Sequence, residues 1–145
     1  MKLKHDAEGN ITVVAIDSQT LVAPFVSTAN DEALLNTPGK YKYDIATQKV
    51  VNRRYITMAA GAQVGNNIPV TITAFTAAGA QDATATDAVS LHEVGMMAPS
   101  AIAGSPVSLV AGTAVLNIPA NKAKKLNLRA AATGCYGAYL VLTFA

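Results

Sequence analysis

Ile68-Pro69-Val70-Thr71-Ile72-Thr73-Ala74-Phe75 decides how this chain is read. Ile68, Val70, Ile72 and Ala74 alternate with Thr71, Thr73 and Phe75, and a period of two puts the first set on one face of a strand. The same period recurs on both sides. Upstream, Tyr41, Tyr43 and Ile45 alternate with Lys40, Lys42 and Asp44. After Ala46-Thr47-Gln48-Lys49 the chain resumes as Val50 to Met58, the return strand of a hairpin. Downstream, strands are predicted over 107–110, 114–118, 124–131 and 136–144. In 124–131, Leu126 and Leu128 face one side while Lys125, Asn127 and Arg129 face the other. In 136–144 both faces are apolar, which predicts a central strand or one covered by another subunit.

The remaining segments fit between these strands. Asp6 to Asn10 is turn chemistry, and Ile11 to Ile16 is a β-branched strand. Leu21 to Thr28 contains Pro24, which gives no ladder hydrogen bond, so this strand belongs at an edge or a bulge. Residues 30–35 allow one helical turn, closed by Asn36-Thr37-Pro38-Gly39. Residues 77–88 and 98–106 are rich in small side chains and read as extended loops, and 89–97 reads either way. Two Asn-Ile-Pro tripeptides, at 67–69 and 117–119, have dissimilar flanks and read as coincidence. The expectation is all-β: one domain over 1–145, a β-sandwich or jelly-roll-like barrel of about eight short strands, with residues 1–10 as an N-terminal arm.

Composition bounds the function. Of 74 apolar residues in 145, Ala supplies 28, whereas Leu, Ile, Val and Phe together supply 36. That suffices for one ordinary domain with a thin private core, whose stability would come partly from oligomeric or partner contacts. Charged residues make up 14% and the net charge is +2, which excludes a disordered charged tail or a coiled coil. It also gives little support to nucleic-acid binding. A single cysteine, Cys135, excludes an internal disulfide and reads as a small buried side chain. The start, MKLKHDAEGN, lacks an apolar signal core, and the most apolar stretch, 130–145, is too short for a spanning helix. A soluble protein made in a cytoplasm is expected.

No phosphate-binding glycine loop, zinc-binding helix motif or nucleophile elbow occurs. His5 and His92 lie far apart without a second ligand at metal spacing, and His5 reads as a solvated residue near the terminus. The nine acids are spread thinly. The expectation is therefore no catalytic, cofactor or metal site. Charge placement says more. The 40–55 hairpin carries Lys40, Lys42, Lys49, Arg53 and Arg54 against Asp44, and 99–145 carries four bases and no acid. Residues 77–98 carry Asp82, Asp87 and Glu93 and no base. Such segments suit docking on a complementary protein surface or between identical subunits. Tyr41 and Tyr43 lie opposite the lysines of their strand, so they do not interleave to stack bases.

Short, cysteine-poor and rich in Ala, Thr, Val and Gly, the chain resembles the head decoration (cement) proteins of tailed bacteriophages. Lys2-Leu3-Lys4-His5-Asp6-Ala7-Glu8-Gly9-Asn10 is similar to their N-terminal arms. Val115-Leu116-Asn117-Ile118-Pro119-Ala120-Asn121-Lys122 through Tyr139-Leu140-Val141-Leu142-Thr143-Phe144 resembles the last strands of a phage structural β-domain. The resemblance implies a non-enzymatic homotrimer or homodimer on the outside of the virion capsid, clamping the major capsid protein. It implies no nucleic-acid or membrane partner and no cofactor. The contact residues expected are Lys2 and Lys4 in the arm, Lys40, Lys42, Arg53 and Arg54 in the hairpin, and Lys124 and Lys125 near the end. Another virion component (tail, fibre or minor capsid subunit) shares this composition. A bacterial surface- or carbohydrate-binding β-module fits less well, because the chain has no Trp and five Tyr.

Overall fold

The computed structural model describes residues 1–29, 31–95, 99–120 and 124–145. It is all-β, with 50% of the chain in strand and 6% in helix, in several antiparallel sheets with no closed barrel. The chain packs as two compact units, Met1–Arg53 and Arg54–Ala145.

In the first unit, β1 (Lys2–His5) lies between β2 (Ile11–Ala15) and β3 (Val26–Ser27) in an antiparallel sheet. Residues 1–10 are thus no free arm. Leu3 is fully buried between outward Lys2 and Lys4, and the expected arm is the central strand of a sheet. The strand read over 21–28 shrinks to Val26–Ser27, at the sheet edge that Pro24 requires. One turn of helix, α1 (Glu32–Asn36), is capped by Asp31, whose carboxylate accepts from the amides of Ala33 and Leu34. A 3-10 turn at Pro38–Lys40 leads into the hairpin of β4 (Tyr41–Asp44) and β5 (Lys49–Asn52). Its alternation holds: Tyr43 is buried with Met1, Leu3 and Leu34, whereas Lys40 and Lys42 are exposed. The return strand is shorter than the sequence suggested. It stops at Asn52, and the Arg53 amide donates to the Lys40 carbonyl at 2.8 Å.

The second unit has two sheets. One runs β11 (Thr113–Pro119), β7 (Asn67–Phe75), β6 (Arg54–Ala60) and β13 (Cys135–Tyr136). The other runs β10 (Val107–Ser108), β8 (Ala88–Glu93), β12 (Lys125–Ala131) and β14 (Ala138–Thr143), with β9 (Ser100–Ala101) also on β8. Ile68, Val70, Ile72 and Ala74 are all buried, as their spacing requires. They share one apolar cluster with Ile56 and Ile118 from their own sheet and with Val89, Leu91, Leu126, Leu128, Ala130 and Leu142 from the other. Inward residues of two sheets filling one core make a sandwich-like layer pair.

Pro69 sits inside β7, where its neighbour on the β6 side is Gly61, just past the end of β6. The Gly61 amide donates to the Pro69 carbonyl, and a Cβ on Gly61 would strike the Pro69 ring at 2.9 Å. The strand read over 136–144 is broken at Gly137, where a Cβ would run into the Ala130 carbonyl. β14 ends its sheet rather than lying at the centre, and its outward Tyr139 and Val141 are solvent-exposed.

Candidate docking surfaces

The cations expected to contact a partner are dispersed. In the first unit, Lys2 and Lys4 project from the outward side of β1, and the Lys2 ammonium lies 5.1 Å from the ring centre of Phe25. Lys40 and Lys42 stand on the exposed side of the hairpin, and Arg53 is half-buried. His5, read as solvated, instead stacks on Tyr43 with ring centres 4.5 Å apart. Asp44 ties the hairpin turn, and its carboxyl is held below the usual range first by the Thr47 hydroxyl, with the Ala46 and Thr47 amides and Lys42 adding.

Arg54 is engaged within the molecule, although its side chain remains 38% exposed. Its guanidinium donates to Asp87 at 2.8 Å and pairs with Asp82 at 3.0 Å. Asp87 raises the guanidinium's proton affinity, while the Thr84 hydroxyl and amide, followed by Arg54, hold Asp82 below the ordinary carboxylate range. Two of the three acids of 77–98, Asp82 and Asp87, thus share one arginine on the inward side of β6. No spacing rule links Arg54 to carboxylates about thirty residues away, so these ion pairs were not readable in the sequence. The pair pins the 76–87 loop, which a further contact secures: a Cβ on Gly112 would strike the Asp82 carbonyl.

The outer faces of the two sheets of the second unit differ in charge. On the β12 sheet the outward row is Tyr139, Arg129 and His92, paired strand to strand, with Ala101 beyond. The Arg129 guanidinium lies 5.8 Å from the Tyr139 ring centre, a cation–π arrangement that holds its fork outward. Lys125 faces Thr143 and Asn127 faces Val141 in the next rows, and Lys124 is exposed just before β12. Tyr139 is 69% exposed and Val141 55%. No acid belongs to the outward positions of these strands, since Glu93 alternates to the inward side with Leu91. Of the expected contact residues, Lys124 and Lys125 are the ones that lie on or beside the sheet that carries Arg129 and Tyr139. Arg129 was readable as an outward residue of its strand, but the exposure of Tyr139 and their pairing depended on the β12–β14 register.

Among the described residues, the outward strand positions of the β7 sheet carry no charge. Its rows are Thr57, Thr73 and Thr113, then Ala59, Thr71 and Val115, then Pro69 and Asn117. Tyr55 and Phe75 stack at one end with ring centres 5.0 Å apart. Val115 is 59% exposed.

Among the described residues, no three His, Cys, Asp or Glu side chains are grouped so as to hold a metal ion. Cys135 is half-buried and packs against the core. No described helix is long and apolar enough to cross a membrane. Compared with known proteins, the chain matches no family model, no curated protein and no solved structure.

Proposed function

We propose that this chain is a non-enzymatic structural protein of a bacteriophage virion, which decorates the capsid by docking on the outer surface of the major capsid protein. The observation that carries this reading is the outer face of the β12 sheet. A rigid sheet there holds Tyr139, Val141, Arg129 and Lys125 toward solvent with no acid among them. Tyrosine and arginine are the side chains that most often dominate binding energy at protein interfaces. An acid-free cationic face is steered onto a partner that presents carboxylates. The resemblance of residues 2–10 and 115–144 to phage head proteins supplies the identity of that partner. The basic hairpin, through Lys40 and Lys42, is a second contact in this reading. Another virion component, such as a tail, fibre or minor capsid subunit, would use the same face on a different neighbour.

Cosedimentation of the purified protein with capsid shells of the same phage tests the proposal. The wild-type chain should pellet with the shells. Arg129→Glu and Tyr139→Ala should stay in the supernatant while melting as the wild type does. Failure of the wild-type chain to bind shells, with binding to isolated tails instead, moves it to another virion part. Failure to bind either overturns the reading.

A further inference from the structure

We infer that the outer face of the β7 sheet is where this chain pairs with a second copy of itself, about a two-fold axis. The inference is independent of capsid binding. In a two-fold interface the same patch meets itself, so a charge near the axis faces its own like charge. The β12 face, with Lys125 and Arg129, fails that requirement. The β7 face meets it, since none of its outward residues is charged across three paired strands. Its side chains are also short. Thr57, Thr73, Ala59 and Thr71 leave a flat surface on which a second sheet can lie closely, and threonine hydroxyls can both donate and accept across the seam. Val115, exposed on the edge strand, gives the apolar contact that such a seam needs.

The size of the face sets the strength expected. Three strands about 4.8 Å apart, rising about 3.3 Å per residue over the length of β7, make a patch on the order of 400 Å² in plane. Stable interfaces bury about 800 Å² per partner. The pair should therefore be concentration-dependent, forming in the micromolar range or above rather than at all concentrations.

Light scattering of the full chain over a dilution series reads the pairing directly. The mass should rise from one chain to two and should change little with salt, because no ion pair crosses the seam. Thr71→Lys, exposed near the middle of the face, should raise the dissociation constant at least about tenfold. Thr71→Glu should do the same alone, and mixing the two variants should restore the dimer as a mixed pair. If thermal melting shows that Thr71→Lys does not fold, Val115→Lys takes its place, with Val115→Glu as its complement. Arg129→Glu should leave the mass unchanged. A chain that stays monomeric throughout overturns the inference. So does a mass of three chains, a dimer insensitive to both lysine variants, or one dissolved by Arg129→Glu.

Discussion

Ile68 and Ile118 stand directly opposite each other in the β7–β11 pair, each the middle residue of an Asn-Ile-Pro tripeptide. The antiparallel register also sets Asn67 against Pro119 and Pro69 against Asn117, so the two tripeptides meet about a local two-fold. Both isoleucines point into the core, and Ile118 is fully buried. Ile118→Ala should cost about 2–5 kcal/mol, because deleting a well-packed aliphatic side chain leaves a cavity that its neighbours fill only in part. Urea unfolding should show the loss as a lower midpoint at an unchanged slope. A cost under about 0.5 kcal/mol would mean that this core is not packed as described.

Removing the arginine that pairs with both Asp82 and Asp87 should destabilise the second unit. Arg54→Ala leaves two carboxylates close together without their shared cation. The guanidinium is partly solvated, so after screening the expected loss is about 1 kcal/mol, a fall of several degrees in melting temperature. Arg54→Lys should recover part of it, since both carboxylates are met by the one Nη2 nitrogen, a role that a lysine ammonium keeps in charge but not in reach or geometry. An unchanged melt for Arg54→Ala would show that the pairing contributes nothing to stability.

Acid should weaken the fold through the same group. Asp82 has a lowered proton affinity in the folded chain relative to its ordinary value of 3.8. The unfolded chain therefore binds this proton more readily. The stabilisation is complete above the ordinary carboxylate range and is lost as pH falls through the lowered folded value. Asp6 and Asp44, lowered mainly by the Asn10 side chain and the Thr47 hydroxyl, act in the same direction. Melting temperature should be flat from neutral pH to about 5 and should drop below about 4. In Asp82→Asn the drop should be shallower, and an equally steep drop in that variant would remove Asp82 from the explanation.

Two glycines with similar backbones should respond differently to alanine. Gly112 has φ +77° and Gly65 has φ +58°, conformations that carry a penalty of about 1–2 kcal/mol for other residues. At Gly65 nothing lies within 4 Å of the added carbon, whereas at Gly112 it strikes the Asp82 carbonyl. Gly65→Ala should lower stability by the conformational penalty alone, and Gly112→Ala should lower it clearly further. Equal losses in thermal melts would show that the loop yields freely at Asp82.

The strands that alternate cleanly were legible in the sequence. Residues 68–75, the Tyr41–Tyr43 side of the hairpin and Leu126 with Leu128 all fell on the faces that their spacing dictates, because burial of one face imposes a period of two. The breaks were not legible. Nothing local marks Arg53 as the point where one unit ends, or Gly137 as the point where the chain moves from one sheet to the other. These depend on a carbonyl or a strand end supplied from elsewhere in the chain. The charges were the least legible feature. Counting bases and acids by segment gave no sign that Arg54 pairs with Asp82 and Asp87. The row that remains exposed, Arg129 with Tyr139, exists only through strand register.

The sparse charge of the second unit also governs how it can be cut. Between Arg54 and Lys122 the chain has no lysine or arginine across 67 consecutive residues. Every turn in that span, including the long 76–87 loop, offers trypsin no peptide bond to cleave, however far the loop opens. A protease that reads cationic side chains is confined to Arg54, which is tied to two carboxylates, and to the stretch from Lys122 to Arg129. Digestion should thus leave Tyr55 to Lys122 as one uncut fragment, so this half of the molecule is shielded from tryptic cleavage by composition as well as by folding.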